Sequence, residues 1–350
     1  GGTLGGIIGD LRWFGLNGVG AAPNADYAAT IPHLLFVIFQ MMFAIITPAL
    51  ITGSIAERMR FFSLFIFIAL WSLVVYYPLA HMMWGTGGLL RNLGAVDFAG
   101  GNVVHISSGV SGLVAAIMLG KRRGYGTSSY HPHNIPFVVL GASMLWFGWF
   151  GFNAGSSLGA NGLAVQAFIN TNTSAACAML SWMLIEKIRN GKPTVLGAAT
   201  GAVIGLVAIT PGAGFVPVWA SIIIGAMVSP ICYFAITVIK VKFGYDDSLD
   251  AFGCHGIGGI WGGIATGLFA QHSINSTAKW NGLVFGEWHL FAAQIISVAA
   301  SIAIAVVGTV ICMSIVKLIS KPRVSAREEA DGLDTSEHGE SAYPSFNGLD

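Results

Sequence analysis

Long apolar runs separated by short polar segments dominate the pattern of this 350-residue chain. A membrane-spanning helix needs about 20 apolar residues, and spans of roughly 17 to 25 residues are common. Nine runs fit or approach this length and predict nine spans, at 31–53, 61–80, 103–119, 135–152, 161–185, 195–210, 217–239, 253–271 and 288–316. The pattern therefore predicts an all-α polytopic membrane bundle over 31–323. A glycine-rich segment (1–30) precedes it and an acidic tail (324–350) follows it.

Composition excludes a water-soluble fold. The chain is 54% apolar and 9% charged, whereas globular domains are about 25% charged. The start, GGTLGGIIGDLRWFG, lacks the basic region, short apolar core and cleavage site of a signal peptide. The four cysteines lie in or beside spans without CxxC spacing and indicate neither disulfides nor a metal site. We expect one membrane domain with no soluble catalytic domain, no cofactor and no enzymatic activity.

The placement of basic residues predicts the orientation of the chain. Lysine and arginine accumulate on the cytoplasmic side of membrane helices. In the nine-span arrangement, all but three of the 17 basic residues fall on one side, the exceptions being Arg12, Arg91 and Lys279. This segregation predicts that the chain starts outside the cell and that the tail lies in the cytoplasm.

Glycine is unusually frequent, at 47 residues of 350. It recurs at every fourth position in the sixth span (Gly197, Gly201, Gly205) and in the eighth (Gly259, Gly263, Gly267). Small residues let membrane helices approach closely. Tight helix packing and a role in lining a pore both remain open for these glycines.

Two histidines lie within predicted spans, His105 in the third and His255 in the eighth. Each follows an aspartate near the start of its span, Asp97 and Asp250 respectively, and each precedes a glycine by four residues. A buried ionisable group in a membrane helix is costly and is a candidate functional residue. The matched pattern predicts an inverted internal repeat that places the two histidines face to face.

Structural explanations exist for the same residues. A membrane histidine can satisfy an interhelical hydrogen bond, and an aspartate at a helix start commonly caps backbone N–H groups. A metal site on His105 and His255 is poorly supported, because a structural zinc ion needs further ligands. A membrane metalloenzyme built on this pair is a less favoured alternative, and the chain lacks an HExxH motif.

Several blocks resemble the ammonium transporter family (Amt/Mep/Rh), namely HMMWGTGGLL, DFAGGNVVHI, GWFGFNAGS, GKPTVLGAATGAVIGLVAITPGAGFV and DAFGCHGIGGIWGGI. The tail block DGLDTSEHGESAY is similar to the cytoplasmic end of bacterial members. The resemblance implies an eleven-helix bundle with an inverted pseudo-twofold repeat, a homotrimer with one pore per subunit, and conduction of ammonium. In the family, two helices precede the span that begins here near Ile31, so we expect this chain to lack them.

The resemblance also implies site residues. The outer cation site falls on Trp84 and Ser156, with Phe43 in its wall and Asp97 below it. The phenylalanine gate falls on Phe43 and Phe152.

The pore-lining histidines of the family fall on His105 and His255, and a pore-lining tryptophan falls on Trp149. We expect ammonium to bind outside by cation–π contact, to lose a proton at or below the gate and to pass inward as ammonia. A PII-type signalling protein is the expected regulator of the tail, and the inner (plasma) membrane is the expected location. An ammonium sensor with little flux and a Rh-like carrier of carbon dioxide or ammonia are the alternatives.

Overall fold

The computed structural model describes residues 2–344, so the part of the predicted tail at 345–350 lies outside the described residues. The α-helices of this part are α1 (His33–Ile55), α2 (Phe61–Trp71), α3 (Tyr77–Trp84), α4 (Leu89–Leu93), α5 (Ser107–Leu119), α6 (Ile135–Ala154), α7 (Gly162–Asn190), α8 (Val195–Ile209), α9 (Val218–Phe234), α10 (Lys240–Phe243), α11 (Ile257–Phe269), α12 (His289–Ile319), α13 (Ala326–Asp331) and α14 (Leu333–His338). Four π-helical turns adjoin them, at Ser72–Tyr76, Gly101–Ile106, Ala235–Ile239 and Phe252–Gly256. Short 3-10 turns lie at Phe14–Leu16, Gly155–Ser157 and Leu283–Phe285.

Within residues 2–344, helical stretches occupy all nine predicted positions. Six of these stretches are long and apolar enough to cross a membrane. The others are α7, which carries charged residues near its end, the 15-residue α8 and the glycine-rich α11. The prediction of an all-α polytopic membrane protein is confirmed, while the count of nine spans stays a prediction.

The helices begin and end where local sequence favours it. Asn134, Asn161 and Thr194 cap α6, α7 and α8, each accepting a hydrogen bond from a backbone N–H of the first turn. Helix α7 ends at Gly191 and α10 ends at Gly244, both in the left-handed conformation that glycine adopts at low cost.

The regularly spaced glycines lie where helices touch. A Cβ atom on Gly205 would come 2.6 Å from the Cβ of Ala178 in α7, and one on Gly201 would come 2.8 Å from the Cβ of Trp182. In α11, a Cβ on Gly263 would come 2.8 Å from Val298 in α12. Since ordinary carbon contacts are about 3.5–4.0 Å, these glycines are needed for packing. Of the two explanations left open, the structure supports helix packing for these three residues.

The predicted internal repeat is visible in the placement of the π-helical turns. One pair interrupts the second and seventh stretches, at Ser72–Tyr76 and Ala235–Ile239. The other pair begins the third and eighth stretches, at Gly101–Ile106 and Phe252–Gly256. A π-helical turn is rare, so its recurrence five stretches later agrees with two related halves.

Polar segments cover the two ends of the bundle. At one end, which we name the hairpin end, residues 2–32 form two short antiparallel hairpins: β1 (Thr3–Leu4) pairs with β2 (Ile8–Gly9), and β3 (Pro23–Asn24) pairs with β4 (Ala28–Pro32). The opposite end, the tail end, carries α13 and α14 and the loops 56–60, 120–134 and 244–250.

Charged side chains hold the tail end together. Arg60 forms ion pairs of 3.0 Å with both Glu328 and Glu337 of the tail. The buried Arg122 binds Asp246 at 2.9 Å and also pairs with Glu57 at 2.9 Å. The acidic segment is therefore attached to the bundle through Arg60, while Arg122 joins the loops 56–60, 120–134 and 244–250 to one another.

Candidate functional site

The predicted outer-site residues line one cavity at the hairpin end, of about 250 Å³. Phe43, Trp84, Asp97 and Ser156 all border it. The rings of Phe43 and Trp84 meet edge to face, with centroids 5.6 Å apart. The hydroxyl of Ser156 donates to the carbonyl oxygen of Phe152 at 2.9 Å, so its own oxygen can still accept a hydrogen bond. The cavity thus offers aromatic faces and a hydroxyl acceptor.

Asp97 acts chiefly on the backbone. Its carboxylate accepts hydrogen bonds from the four consecutive N–H groups of Gly100, Gly101, Asn102 and Val103, at 2.7–3.2 Å. Its carbonyl oxygen accepts from the indole of Trp84 at 2.8 Å. The structure therefore supports the capping explanation, and the same residue fixes the position of an outer-site ring. It also lines the cavity, which leaves an electrostatic effect on a bound cation open.

Two phenylalanine rings separate this cavity from the histidines. The centroids of Phe43 and Phe152 are 4.6 Å apart, with the ring planes inclined by 36°. The centroid of Phe152 is 6.0 Å from that of His105. Trp149 stacks on His105, with centroids 5.3 Å apart and planes inclined by 19°. The predicted gate residues and Trp149 thus lie together, directly above the imidazoles.

His105 and His255 face each other, although 150 residues separate them in the chain. Their Nδ1 atoms are 3.3 Å apart, and their ring centroids are 5.3 Å apart. This separation is at the long end for a hydrogen bond, and its donor depends on the tautomers. The Nε2 atom of His105 is buried and has no hydrogen-bond partner among the described residues. The pair therefore offers one shared contact and, on His105, a buried nitrogen that is unused within the described residues.

Each histidine lies in a π-helical turn held by an aspartate. Asp97 holds the turn of His105. Its counterpart in the second half is Asp247, whose carboxylate accepts from the N–H groups of Ala251 and Phe252 at 3.1 and 2.8 Å. The prediction that Asp250 is this counterpart was wrong. Asp250 has a positive φ of 56° and binds Lys240 at 2.7 Å.

The correct pairing can be found in the sequence. Asp97 precedes His105 by eight positions, and Asp247 precedes His255 by the same number. In both copies a glycine follows the histidine after four positions, so the repeated unit is D-x7-H-x3-G. Asp250 lies five residues before His255 and does not fit this spacing. Asp247 is thus a residue that the sequence reasoning missed, although its signal was present.

The glycine of each repeated unit packs against the turn that holds the other histidine. A Cβ on Gly109 would lie 2.2 Å from the backbone nitrogen of Gly256 and 3.0 Å from the carbonyl carbon of His255. A Cβ on Gly259 would lie 3.0 Å from the Cβ of His105. The contact between the two imidazoles therefore depends on both glycines.

A second cavity, of about 460 Å³, begins at His255 and is lined mainly by alanine, glycine, leucine and valine, with residues from α1, α6 and α8. We name the cavity at the hairpin end the outer cavity. From the hairpin end, the order along the bundle is therefore the outer cavity, two phenylalanine rings, two imidazoles and an apolar cavity. Among residues 2–344, no group of three or more histidine, cysteine, aspartate or glutamate side chains is arranged to hold a metal ion.

The fold and this arrangement define a class of protein: a multi-pass membrane protein whose bundle holds two cavities with aromatic rings and two imidazoles between them. The model of the Ammonium Transporter Family matches residues 3–343. The chain belongs to this family. The ammonium transporter function that the sequence predicted is confirmed at the level of the family, as is the expectation that the chain is not an enzyme.

Individual relatives agree with this assignment. The chain is 55% identical over 337 residues to an ammonium transporter of Bacillus subtilis, covering 96% of this chain and 82% of that protein. The crystal structure of Saccharomyces cerevisiae Mep2 superimposes with a TM-score of 0.87 at 38% identity, covering 93% of this chain and 74% of that one. A structure described as a sensor Amt protein has a TM-score of 0.83 at 30% identity, covering 96% and 83%.

Proposed function

We propose that the chain recruits ammonium at the outer cavity, removes a proton at or below the phenylalanine pair and conducts ammonia past His105 and His255. The observation that carries this proposal is the contact of 3.3 Å between the two imidazoles, directly below the rings of Phe43 and Phe152. Selective conduction of this kind requires a filter that distinguishes the two ions by their chemistry, because ammonium resembles potassium in size and charge.

The outer cavity supplies the first selection. The faces of Trp84 and Phe43 attract a cation, with a contribution of about 0.5–2 kcal/mol that increases as water is excluded. The oxygen of Ser156 accepts a hydrogen bond that ammonium can donate and potassium cannot. Asp97 adds negative charge at the base of the cavity, although four amide N–H groups already share its carboxylate.

The phenylalanine pair supplies the second selection. A bare cation between two apolar rings loses its hydration without replacement, which costs several kcal/mol. Ammonia is uncharged, so losing its hydration costs far less free energy. The rings of Phe43 and Phe152 therefore favour passage of the neutral molecule and oppose passage of potassium.

The imidazoles receive the neutral molecule. A proton shared between the two Nδ1 atoms fixes both rings and leaves the outer nitrogens for hydrogen bonds to ammonia. Because an imidazole can accept a proton at one nitrogen and release one from the other, the pair also offers a relay for the proton removed from ammonium. The unpartnered Nε2 of His105 is one such free position.

Currents on a solid-supported membrane test this mechanism. Reconstituted protein is exposed to an ammonium jump, with potassium as control and with His105→Ala and His255→Ala alongside wild type. We expect ammonium to give a current and potassium to give none, and both substitutions to reduce the current or admit potassium. His131→Ala, in an exposed loop, is the matched control. Full ammonium flux with potassium exclusion in His105→Ala would refute the filter.

Assembly and regulation form a second part of the proposal. We infer a homotrimer in the inner (plasma) membrane with a cytoplasmic tail, on the basis of the family resemblance and of the basic residues collected on one side. The ion pairs of Arg60 with Glu328 and Glu337 hold the tail where a PII-type protein could displace it. Deleting residues 324–350 should abolish inhibition by such a protein, and unchanged inhibition would remove this part.

The likeness to a sensor Amt protein supports one rival function, ammonium sensing with little flux. The same experiment separates the two. Under the rival, ammonium binding depends on Trp84, but neither current nor ammonia uptake follows. Sustained uptake of ammonia into liposomes that disappears when the histidines are replaced by alanine supports transport.

A further inference from the structure

A separate chamber lies beside the outer cavity at the hairpin end. It has a volume of about 260 Å³ and is open to the surface, and its lining includes Asp10, Trp13, Tyr27, His33, Gln40 and His81. These residues come from the hairpin segment, from α1 and from α3, and the hairpins fold back over the start of α1 to complete the chamber. It is not the outer cavity with Trp84 and Ser156, since neither of these residues borders it.

Two polar groups in the chamber have no protein partner. His33 is only 5% exposed, and its ring makes no hydrogen bond to another of the described residues 2–344. The carboxamide of Gln40 likewise makes none within this range. Buried polar groups are nearly always hydrogen-bonded, so the buried ring of His33 calls for a polar partner in the chamber, and the half-buried Gln40 lies beside it.

The remaining walls favour a cation. The rings of Trp13 and Tyr27 meet edge to face, with centroids 5.5 Å apart. Trp13 also meets the ring of His33, with centroids 4.9 Å apart. Aromatic faces attract small cations. The carboxylate of Asp10 adds negative charge, which is partly offset by its ion pair with the more exposed Arg12 at 3.3 Å.

The chamber shares a wall with the outer cavity. Tyr27, Phe36 and Gln40 border both spaces. An occupant of the chamber would therefore touch the same side chains that bound the outer cavity. A cation held there lies next to the entrance of the proposed pathway without blocking it.

We propose that this chamber is an accessory site for a small primary ammonium ion. Its N–H groups would donate to a nitrogen of His33 and to the amide oxygen of Gln40, while Trp13 and Tyr27 provide the aromatic contact. Potassium cannot donate these hydrogen bonds. A water molecule occupies about 30 Å³ in the liquid, so the chamber has room for ammonium with water or for a short alkylammonium.

Equilibrium binding of radiolabelled methylammonium to the purified full chain tests the site. The stoichiometry is measured at constant ionic strength in wild type, His33→Phe, His33→Gln and Trp84→Leu. We expect a second methylammonium per chain, weakened about tenfold or more in His33→Phe and partly restored in His33→Gln, which keeps an acceptor. The Trp84→Leu variant should retain this second site while losing the outer one.

His289→Phe is the matched control. His289, like His33, is the first residue of its helix and its ring contacts a tryptophan ring, but it does not line the chamber. The His289→Phe variant should bind methylammonium with the same stoichiometry and affinity as wild type. Retention of the Trp84-dependent site in His33→Phe shows that this variant is folded.

Two results would overturn the proposal. One is binding of a single methylammonium per chain that His33→Phe does not alter, which means that water alone fills the chamber. The other is equal displacement of methylammonium by potassium, which removes the hydrogen-bond argument. Since the assay measures binding and not flux, failure of the proposed conduction mechanism leaves its outcome unaffected.

Discussion

Replacing Gly259 by alanine should separate the two imidazoles without altering either of them. The added Cβ would lie 3.0 Å from the Cβ of His105, 3.1 Å from the carbonyl oxygen of Gly101 and 3.1 Å from Ile106. Carbon atoms in ordinary contact are about 3.5–4.0 Å apart, so His105 or its turn must move by about 0.5 Å or more. The Nδ1 atoms are already 3.3 Å apart.

The size of the effect follows from that separation. A further 0.5 Å takes the two nitrogens beyond hydrogen-bond distance, so the shared proton is lost. Insertion of a methyl group into a packed interior typically costs about 1–3 kcal/mol, which the bundle can tolerate. We therefore expect a folded protein with an ammonium current reduced about as strongly as in His105→Ala.

The assay is the ammonium-jump current, recorded together with the thermal unfolding midpoint. Gly148→Ala is the matched control, because an added Cβ at this position of α6 would meet no atom within 4 Å. It should keep both current and stability. A Gly259→Ala protein with wild-type current and full potassium exclusion would show that the close approach of the imidazoles is not needed.

Three further predictions concern charged residues. Asp247→Asn should weaken the ammonium current more than Asp250→Asn, because only Asp247 accepts through its carboxylate from the turn that holds His255; equal effects would contradict this. Arg60→Gln should speed hydrogen exchange in α13 and α14, whereas Arg327→Gln, whose side chain is 92% exposed, should not. Burial raises the pKa of Asp246, but hydrogen bonds from its arginine partner outweigh this and leave the pKa below its ordinary value. Its contribution should therefore be complete above about pH 4 and be lost only as pH falls through the lowered pKa, so slow exchange in loop 244–250 should persist from pH 8 to 5 in wild type and not in Asp246→Asn.

The apolar pattern predicted the helices well because lipid-facing and core-facing positions are both apolar. The first run, 31–53, corresponds to His33–Ile55, and the run 195–210 corresponds to Val195–Ile209. The histidine pair was also predictable, because burial in a membrane makes an imidazole conspicuous. The duplicated spacing around it then indicated a shared location.

Other features had no readable signal. Nothing in the composition of Gly101–Ile106 or Phe252–Gly256 distinguishes a π-helical turn from an α-helical one. The prediction that pairs Asp250 with Asp97 is wrong, because Asp250 lies five residues before its histidine whereas Asp97 and Asp247 both lie eight residues before theirs. The chamber at His33 joins parts of the hairpin segment to α1, and such contacts depend on tertiary structure.

The two halves are alike at the histidines but differ in how their turns are held. Asp97 holds its turn through four N–H groups, while Asp247 uses two, and the carbonyl oxygen of Asp247 also accepts from Lys240. The turn of His105 is thus held within the bundle by the carboxylate of Asp97. The turn of His255 is held by an aspartate that also binds a lysine at the tail end, so a change in that end can reach this turn through Asp247. Any influence of the tail on the pathway should therefore act first on His255, and mobility changes on removing the tail should be larger at Phe252–Gly256 than at Gly101–Ile106.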